Sequence, residues 1–358
     1  MVRYEVAVIG AGQAGLALGY HLARQDRRFV ILDRGDAIGS AWRNRWDSLT
    51  LFTSRRYDSL PGLPFPGDPS GYPSRDEVVS YLERYAETFE LPVQLDSQVR
   101  SLSRAEGGFA IELDDGSIYA DQVVIATGPF QAPRVPAFAH GLAPEVVQMH
   151  NDAYRNPTGL PKGTVLVVGG GNTGFQIAQE LSASHAVHLS IGSRQMPLPQ
   201  RIFGRDLFWY LEATGLIRKS TATRLGRRLA GRDTLIGSSP RGLTRRHGVQ
   251  LHPRAVAAEG STVSFSDGTT LGVQAVVWAT GYEPEHSWID LPVFDHDGRV
   301  VHRRGVTETP GAYFLGLPWQ HTRGSALLGW VKDDAEYLAQ QIATQSTESQ
   351  SSTSRRAA

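Results

Sequence analysis

The chain contains no cysteine in its 358 residues. That absence excludes disulfides, thiolate metal sites and any reaction that needs a redox-active thiol pair. Net charge is missing too, with 36 Lys and Arg set against 36 Asp and Glu. No global field therefore gathers nucleic acid or acidic lipid. No apolar run approaches the ~20 residues of a membrane span. The first strand begins so close to Met1 that no signal peptide is expected, and a cytoplasmic protein is the reading. G-x-S-x-G, H-E-x-x-H and any cue to a Ser–His–Asp triad are also lacking, so neither acyl transfer nor a metal site is expected.

What the sequence does contain starts at Glu5. Val6 to Ile9 is an apolar, β-prone run that reads as a buried parallel strand. It ends in Gly10, Gly12 and Gly15, the G-x-G-x-x-G spacing of a dinucleotide-binding turn, followed by helical sequence from Leu16 to Ala23. Gly10 permits the tight turn, Gly12 lets main chain approach a pyrophosphate, and Gly15 lets helix and strand touch. A second strand, Arg28 to Leu32, ends in Asp33, about twenty residues on, where an acid grips ribose hydroxyls.

Farther along, Thr53 to Pro73 is rich in Pro, Gly and Ser and reads as a loop. Ser74 and Glu77 form a capping-box pattern ahead of Val78, Leu82, Tyr85 and Ala86 at helical spacing. Asp115-Gly116 signals a hairpin, and the strand Val123 to Ile125 closes on Ala126, Thr127 and Gly128.

The pattern then restarts. Val165 to Val168 is a second buried strand, and Gly169, Gly171 and Gly174 repeat the glycine spacing before a helix from Phe175 to Leu181. A later hairpin signal, Asp267-Gly268, leads to Ala279, Thr280 and Gly281. Two copies of one unit imply two dinucleotides. Arg194 follows the strand Val187 to Ile191, where this fold reads the adenosine ribose. It is read either as a 2′-phosphate contact or as a surface Arg at a strand end. The expected division is 1–158 for the first part of one domain, 159–282 for the second, and 283–342 for a return to the first. An insertion occupies 192–248, and a disordered Ser/Thr/Gln-rich tail is expected at 343–358. From Leu216 to Gly248 the insertion carries nine Arg or Lys and one acid, read as a solvated basic face or as a contact for a phosphate or anionic surface.

With both turns placed, the chain resembles the flavin-containing monooxygenases, particularly small bacterial members and the plant YUCCA-type branch. The residues that carry the likeness are 10–15, Gly39 to Trp42, 126–128, His150 with Tyr154, 169–174 and 279–282. The resemblance implies an α/β protein of two Rossmann-like domains, doubly wound as in glutathione reductase. It implies FAD at Gly10, Gly12, Gln13, Gly15, Asp33, Arg34, Gly39, Trp42, Val99, Thr127 and Gly128. It likewise implies NADPH, with NADH left open, at Gly169, Gly171, Asn172, Thr173, Gly174, Arg194, Thr280 and Gly281.

The activity it implies is oxygen transfer from O2, through a C4a-hydroperoxyflavin, to a small soft sulfur, nitrogen or carbanion nucleophile. Asn172 would face the flavin–nicotinamide junction. Phe52 stands where larger members carry an Asn that supports the oxygenated flavin. Pro144 and Val146 stand where the linker fingerprint has Phe and Gly, and Gly316-Leu317 where related reductases have Gly-Asp. Tyr154 replaces the Trp of the Baeyer–Villiger branch. Trp42, Trp46 and Phe52 are read as walls of the flavin pocket or as core aromatics. A helix start near Ser325 would offer its dipole to flavin N1. An NAD(P)H oxidase or reductase without oxygenation, and a non-catalytic redox sensor, are the alternatives. A homodimer is left open.

Overall fold

The computed structural model describes residues 2–193, 195–230 and 234–356. The first unit runs through β1 (Val2–Ile9), α1 (Gln13–Ala23), β2 (Phe29–Leu32), α2 (Arg75–Thr88), β3 (Val99–Ala105), β4 (Gly108–Leu113) and β5 (Gly116–Ile125). β1 pairs in parallel with β2 on one side and β5 on the other. β5, β4 and β3 form an antiparallel meander around the hairpin at Asp115-Gly116. Along β1, Val6 and Val8 face helices α1 and α2, while Ala7 and Ile9 face the meander. A central strand covered on both faces must be apolar throughout, which is what made it legible. The capping box at α2 is present: Glu77 N–H donates to Ser74 Oγ, and Ser74 N–H donates to the Glu77 carboxylate at 2.8 Å.

The second unit contains β6 (Val147–His150), β7 (Thr164–Val168), α3 (Asn172–Leu181), β8 (Ala186–Ser190), β9 (Thr234–Ile236), β10 (Gln250–His252) and β11 (Ala275–Trp278). Its sheet is parallel throughout, in the order β10-β8-β7-β11-β6. β6 was counted above with residues 1–158, yet it is hydrogen-bonded into the second sheet beside β11. The linkers between the units run side by side, with Ala132–Pro133 paired antiparallel to Tyr282–Glu283.

Beyond 283 the chain returns to the first sheet. β12 (Ala312–Phe314) pairs in parallel with the last residues of β5. The final element, α4 (Val331–Arg356), places Ala335, Leu338, Ala339 and Ile342 in the same core as α1. The disordered tail expected from 343 is corrected here, because the helix continues to Arg356. Polar residues tie it down: the Gln345 side-chain oxygen accepts from Gly311 N–H at 3.1 Å and Tyr313 O–H at 2.6 Å. Gln122 donates to Ser346 Oγ at 2.9 Å. Composition alone does not reveal such tertiary partners.

The insertion folds back onto the first unit. Leu207, Phe208, Ile217 and Ile236 cluster with Trp330, Phe52 and Tyr57. Arg224, Arg227, Arg228, Arg241, Arg245 and Arg246 are exposed on it.

Candidate functional site

The two glycine turns are built alike. Gly10 and Gly169 have φ of 114° and 136°, a left-handed region that favours glycine. A Cβ on Gly10 would strike the Ala126 carbonyl, and one on Gly169 the Ala279 carbonyl. Gly15 and Gly174 press against the carbonyls of Gly10 and Gly169 so closely that no side chain fits. In front of Gly12 and Gly171, by contrast, nothing lies within 4 Å of an added Cβ. These two residues are the N-caps of α1 and α3, with no side-chain cap and no acid in the first turn. Free N–H groups and an open approach at a helix N-terminus make an anion cradle, so both turns fit a pyrophosphate.

Asp33 sits beside the first cradle. Its carboxylate accepts from Ala11 N–H at 2.6 Å and from Gly35 N–H at 2.8 Å. Each oxygen keeps a lone pair for a ribose hydroxyl. Arg34 is exposed next to it. Ser97 N–H bonds the Asp33 carbonyl at 2.8 Å, which brings the start of β3 and Val99 alongside. The Val99 side chain itself packs on the core around Leu102 and Phe109. Gly39, at φ 80°, caps the short helix that carries Trp42, whose indole N–H donates to Gln13 Oε1 at 3.2 Å. Thr127 and Gly128 follow β5 and are held by Gln131, at 2.7 Å to the hydroxyl and 2.9 Å to the carbonyl.

Around the second cradle, Thr173 lies in the first turn of α3, and Gln176 reaches Thr50 O of the first unit at 3.2 Å. Asn172 uses both ends of its amide on β9: Nδ2 donates to Thr234 O at 3.1 Å, and Oδ1 accepts from Ile236 N–H at 2.9 Å. It anchors the insertion to the turn. Thr280 and Gly281 lie on the linker, where Thr280 bonds Arg134 O and His150 Nε2 donates to Gly281 O at 2.9 Å. Burial lowers the His150 pKa and so favours the neutral ring, with Nδ1 accepting from Asp152 N–H. Tyr154 is fully buried and donates to Glu180 of α3 at 2.7 Å. Arg194 lies outside the described residues.

Aromatic residues line the region where insertion, loop and C-terminal segment meet. Phe52 stacks on Phe208 at 6.0 Å, Phe208 meets Trp330 at 5.2 Å, and Tyr57 stacks on Trp330 at 5.6 Å. Phe52 is thus part of a wall, with only its ring to offer. No helix begins near Ser325: a 3-10 turn, Arg323–Ala326, occupies that place, and α4 starts at Val331. Four residues align too few peptide dipoles for the charge effect expected there.

Three residues escaped the sequence reading. Asp58 is wholly buried, with one oxygen accepting from Thr53 O–H at 2.6 Å and the other without a partner among the described residues. Burial, reinforced by Asp206, pushes its pKa up to about 8 despite the Thr53 bond. Arg45 lies over the rings of Phe130 and Tyr282 at the linker crossing. Arg323 reaches from its turn toward Thr234. No spacing marks any of them, since each depends on contacts between distant segments.

The family model for pyridine nucleotide-disulphide oxidoreductases matches residues 7–198. A CzcO-like oxidoreductase of Geobacillus kaustophilus is 46% identical over 94% of this chain and 98% of its own. Indole-3-pyruvate monooxygenase YUCCA1 of Oryza sativa subsp. japonica is 26% identical over 91% of this chain and 86% of its own. A flavin-containing monooxygenase from Stenotrophomonas maltophilia superposes with a TM-score of 0.81 at 29% identity, covering 96% of this chain and 99% of that one.

Proposed function

Since the chain belongs to the pyridine nucleotide-disulphide oxidoreductase family, and within it to the flavin-containing monooxygenases, we propose that it transfers one oxygen atom from O2 to a small soft sulfur, nitrogen or carbanion nucleophile. It is an NADPH-dependent flavoprotein oxidoreductase that uses FAD, so the reading as a non-catalytic sensor falls away. The disulphide part of the family description has no counterpart, because the chain has no cysteine.

The observation that carries the proposal is two open cradles of one design, with an aromatic wall joined to the second through Asn172 and β9. FAD, when bound, would supply the redox chemistry between the nicotinamide and O2. The chain's own residues bind, orient and shield. Gly12 and the first N–H groups of α1 receive one pyrophosphate while Asp33 grips its ribose. Gly171 and α3 receive the other, with Arg194 proposed at the 2′-phosphate. Gln13 fixes the Trp42 ring at 3.2 Å. Phe52, Phe208 and Trp330 keep water from the reacting centre, and Asp58 retains its proton near neutral pH rather than adding a buried charge.

The test is turnover with NADPH, isotopically labelled O2 and an aryl methyl thioether. Labelled sulfoxide, formed together with some hydrogen peroxide, is the expected result. Peroxide equal to all the NADPH consumed, with no sulfoxide, would leave an NAD(P)H oxidase. Phe52 favours that second reading, because its ring lacks the hydrogen-bond donor that a polar residue would bring to activated oxygen.

A further inference from the structure

Arg323 is a largely buried cation that meets no carboxylate among the described residues. Its contact in the described residues is a long hydrogen bond from Nη1 to Thr234 Oγ1, at 3.4 Å. Burial lowers its pKa, and no acid lies against it among the described residues. Three other poorly exposed arginines do meet an acid: Arg55 meets Glu77, Arg75 meets Asp47 at 2.8 Å, and Arg304 meets Asp334 at 2.8 Å, while Arg45 and Arg155 are held by hydroxyl and carbonyl oxygens. A guanidinium withdrawn from water without a counter-charge is unfavourable, and its planar fork suits carboxylate or phosphate oxygens.

Its location says what kind of ligand would supply that charge. Thr234 belongs to β9, which Asn172 fastens to the start of α3 at the second glycine turn. On the other side, Gly324 presses against Trp330, which continues into Phe208 and Phe52. Arg323 therefore stands where a coenzyme cradle meets an aromatic wall.

We propose that Arg323 is an anchor for an oxyanion of a ligand seated at this junction, either a carboxylate on the substrate or a phosphate of the coenzyme. Two parallel N–H···O bonds would satisfy the fork and replace the hydration it has lost. A carboxylate-bearing substrate would lay its apolar part along Phe208 and Phe52. A coenzyme phosphate would arrive from the Gly171 cradle. The proposal rests on the flavoprotein reading above, though the anchoring itself needs no oxygen transfer.

The test uses purified FAD-loaded wild type, Arg323→Met and Arg323→Gln. Each is titrated separately with NADP⁺, with phenylacetate and with uncharged phenylacetamide, following flavin absorbance and tryptophan fluorescence. At least tenfold weaker binding of one oxyanion is expected in both variants, with phenylacetamide unaffected. Loss on NADP⁺ identifies a coenzyme phosphate, and loss on phenylacetate identifies a carboxylate. Binding of both anions within twofold of wild type overturns the anchor. The Gln variant, still able to reach Thr234, decides the matter if the Met variant fails to hold FAD. A wild type that turns over NADPH while the variants titrate identically refutes this anchor alone. A wild type unable to bind FAD refutes the flavoprotein reading instead.

Discussion

Asp33 and Asp58 are both aspartates, and they carry opposite lessons about burial. Asp33 accepts two main-chain N–H bonds and offers its remaining lone pairs outward. Hydrogen bonds to a charged group contribute roughly 1.5–3 kcal/mol each, so Asp33→Ala should weaken FAD binding by at least about tenfold, as read by flavin fluorescence during titration. Asp58 is raised to about 8 by burial, so its folded form holds the proton more tightly than the unfolded chain does. Stability from that difference is complete below the unfolded pKa, near 3.8, and is lost as pH rises toward about 8. Each unit is about 1.4 kcal/mol. Asp58→Asn should therefore gain relative to wild type between those limits and level off above them, as measured by urea unfolding at a series of pH values. An advantage that shrinks with rising pH would show that Asp58 is charged in the folded protein. The first aspartate was legible from its spacing after the glycine turn. The second was not, because its environment is made by Thr53, Asp206 and the backbone of Gly329, residues that share no local pattern with it.

At the scale of elements, the glycine turns separate folding from binding. Gly15 and Gly174 contact carbonyls across strand and helix, whereas Gly12 and Gly171 face open space. Gly15→Ala should lower the melting temperature sharply or abolish soluble expression, since displacing a packed helix from its strand costs several kcal/mol, on the order of the largest single-site effects. Gly171→Ala should leave melting nearly unchanged but raise KM for NADPH at least about tenfold, because the methyl group occupies the pyrophosphate approach. Equal losses of stability in the two variants would contradict this division. These turns, the capping box of α2 and the hairpin at Gly116 were readable because each is fixed by chain-local geometry. The wall of Phe52, Phe208 and Trp330 was not, because its rings come from three distant segments and an aromatic residue in sequence looks the same in a core as in a site. The last turns of α4 were misread for a related reason: their polar composition suits solvent, yet Gln345 and Ser346 find buried partners on β5 and β12.

For the molecule as a whole, that closing helix has a measurable role. Ending the chain at Ala343 removes the bonds from Gly311, Tyr313 and Gln122 to Gln345 and Ser346. At about 1 kcal/mol each, their loss should lower the melting temperature by roughly 2–5 °C. A truncated protein melting with the full chain would mean those bonds contribute nothing. The same return of the chain to its first sheet also imposes an order on biosynthesis. The second unit is one continuous segment and has its five strands once Trp278 has left the ribosome. The first unit still lacks β12 and α4 at that moment, so its core stays open until the final residues emerge. The cradle that comes later in the sequence is therefore complete earlier in time. A ribosome-stalled chain long enough for Glu283 to have cleared the exit tunnel should resist protease across the second unit yet hold no FAD, so flavin loading follows the return of the chain to its first sheet.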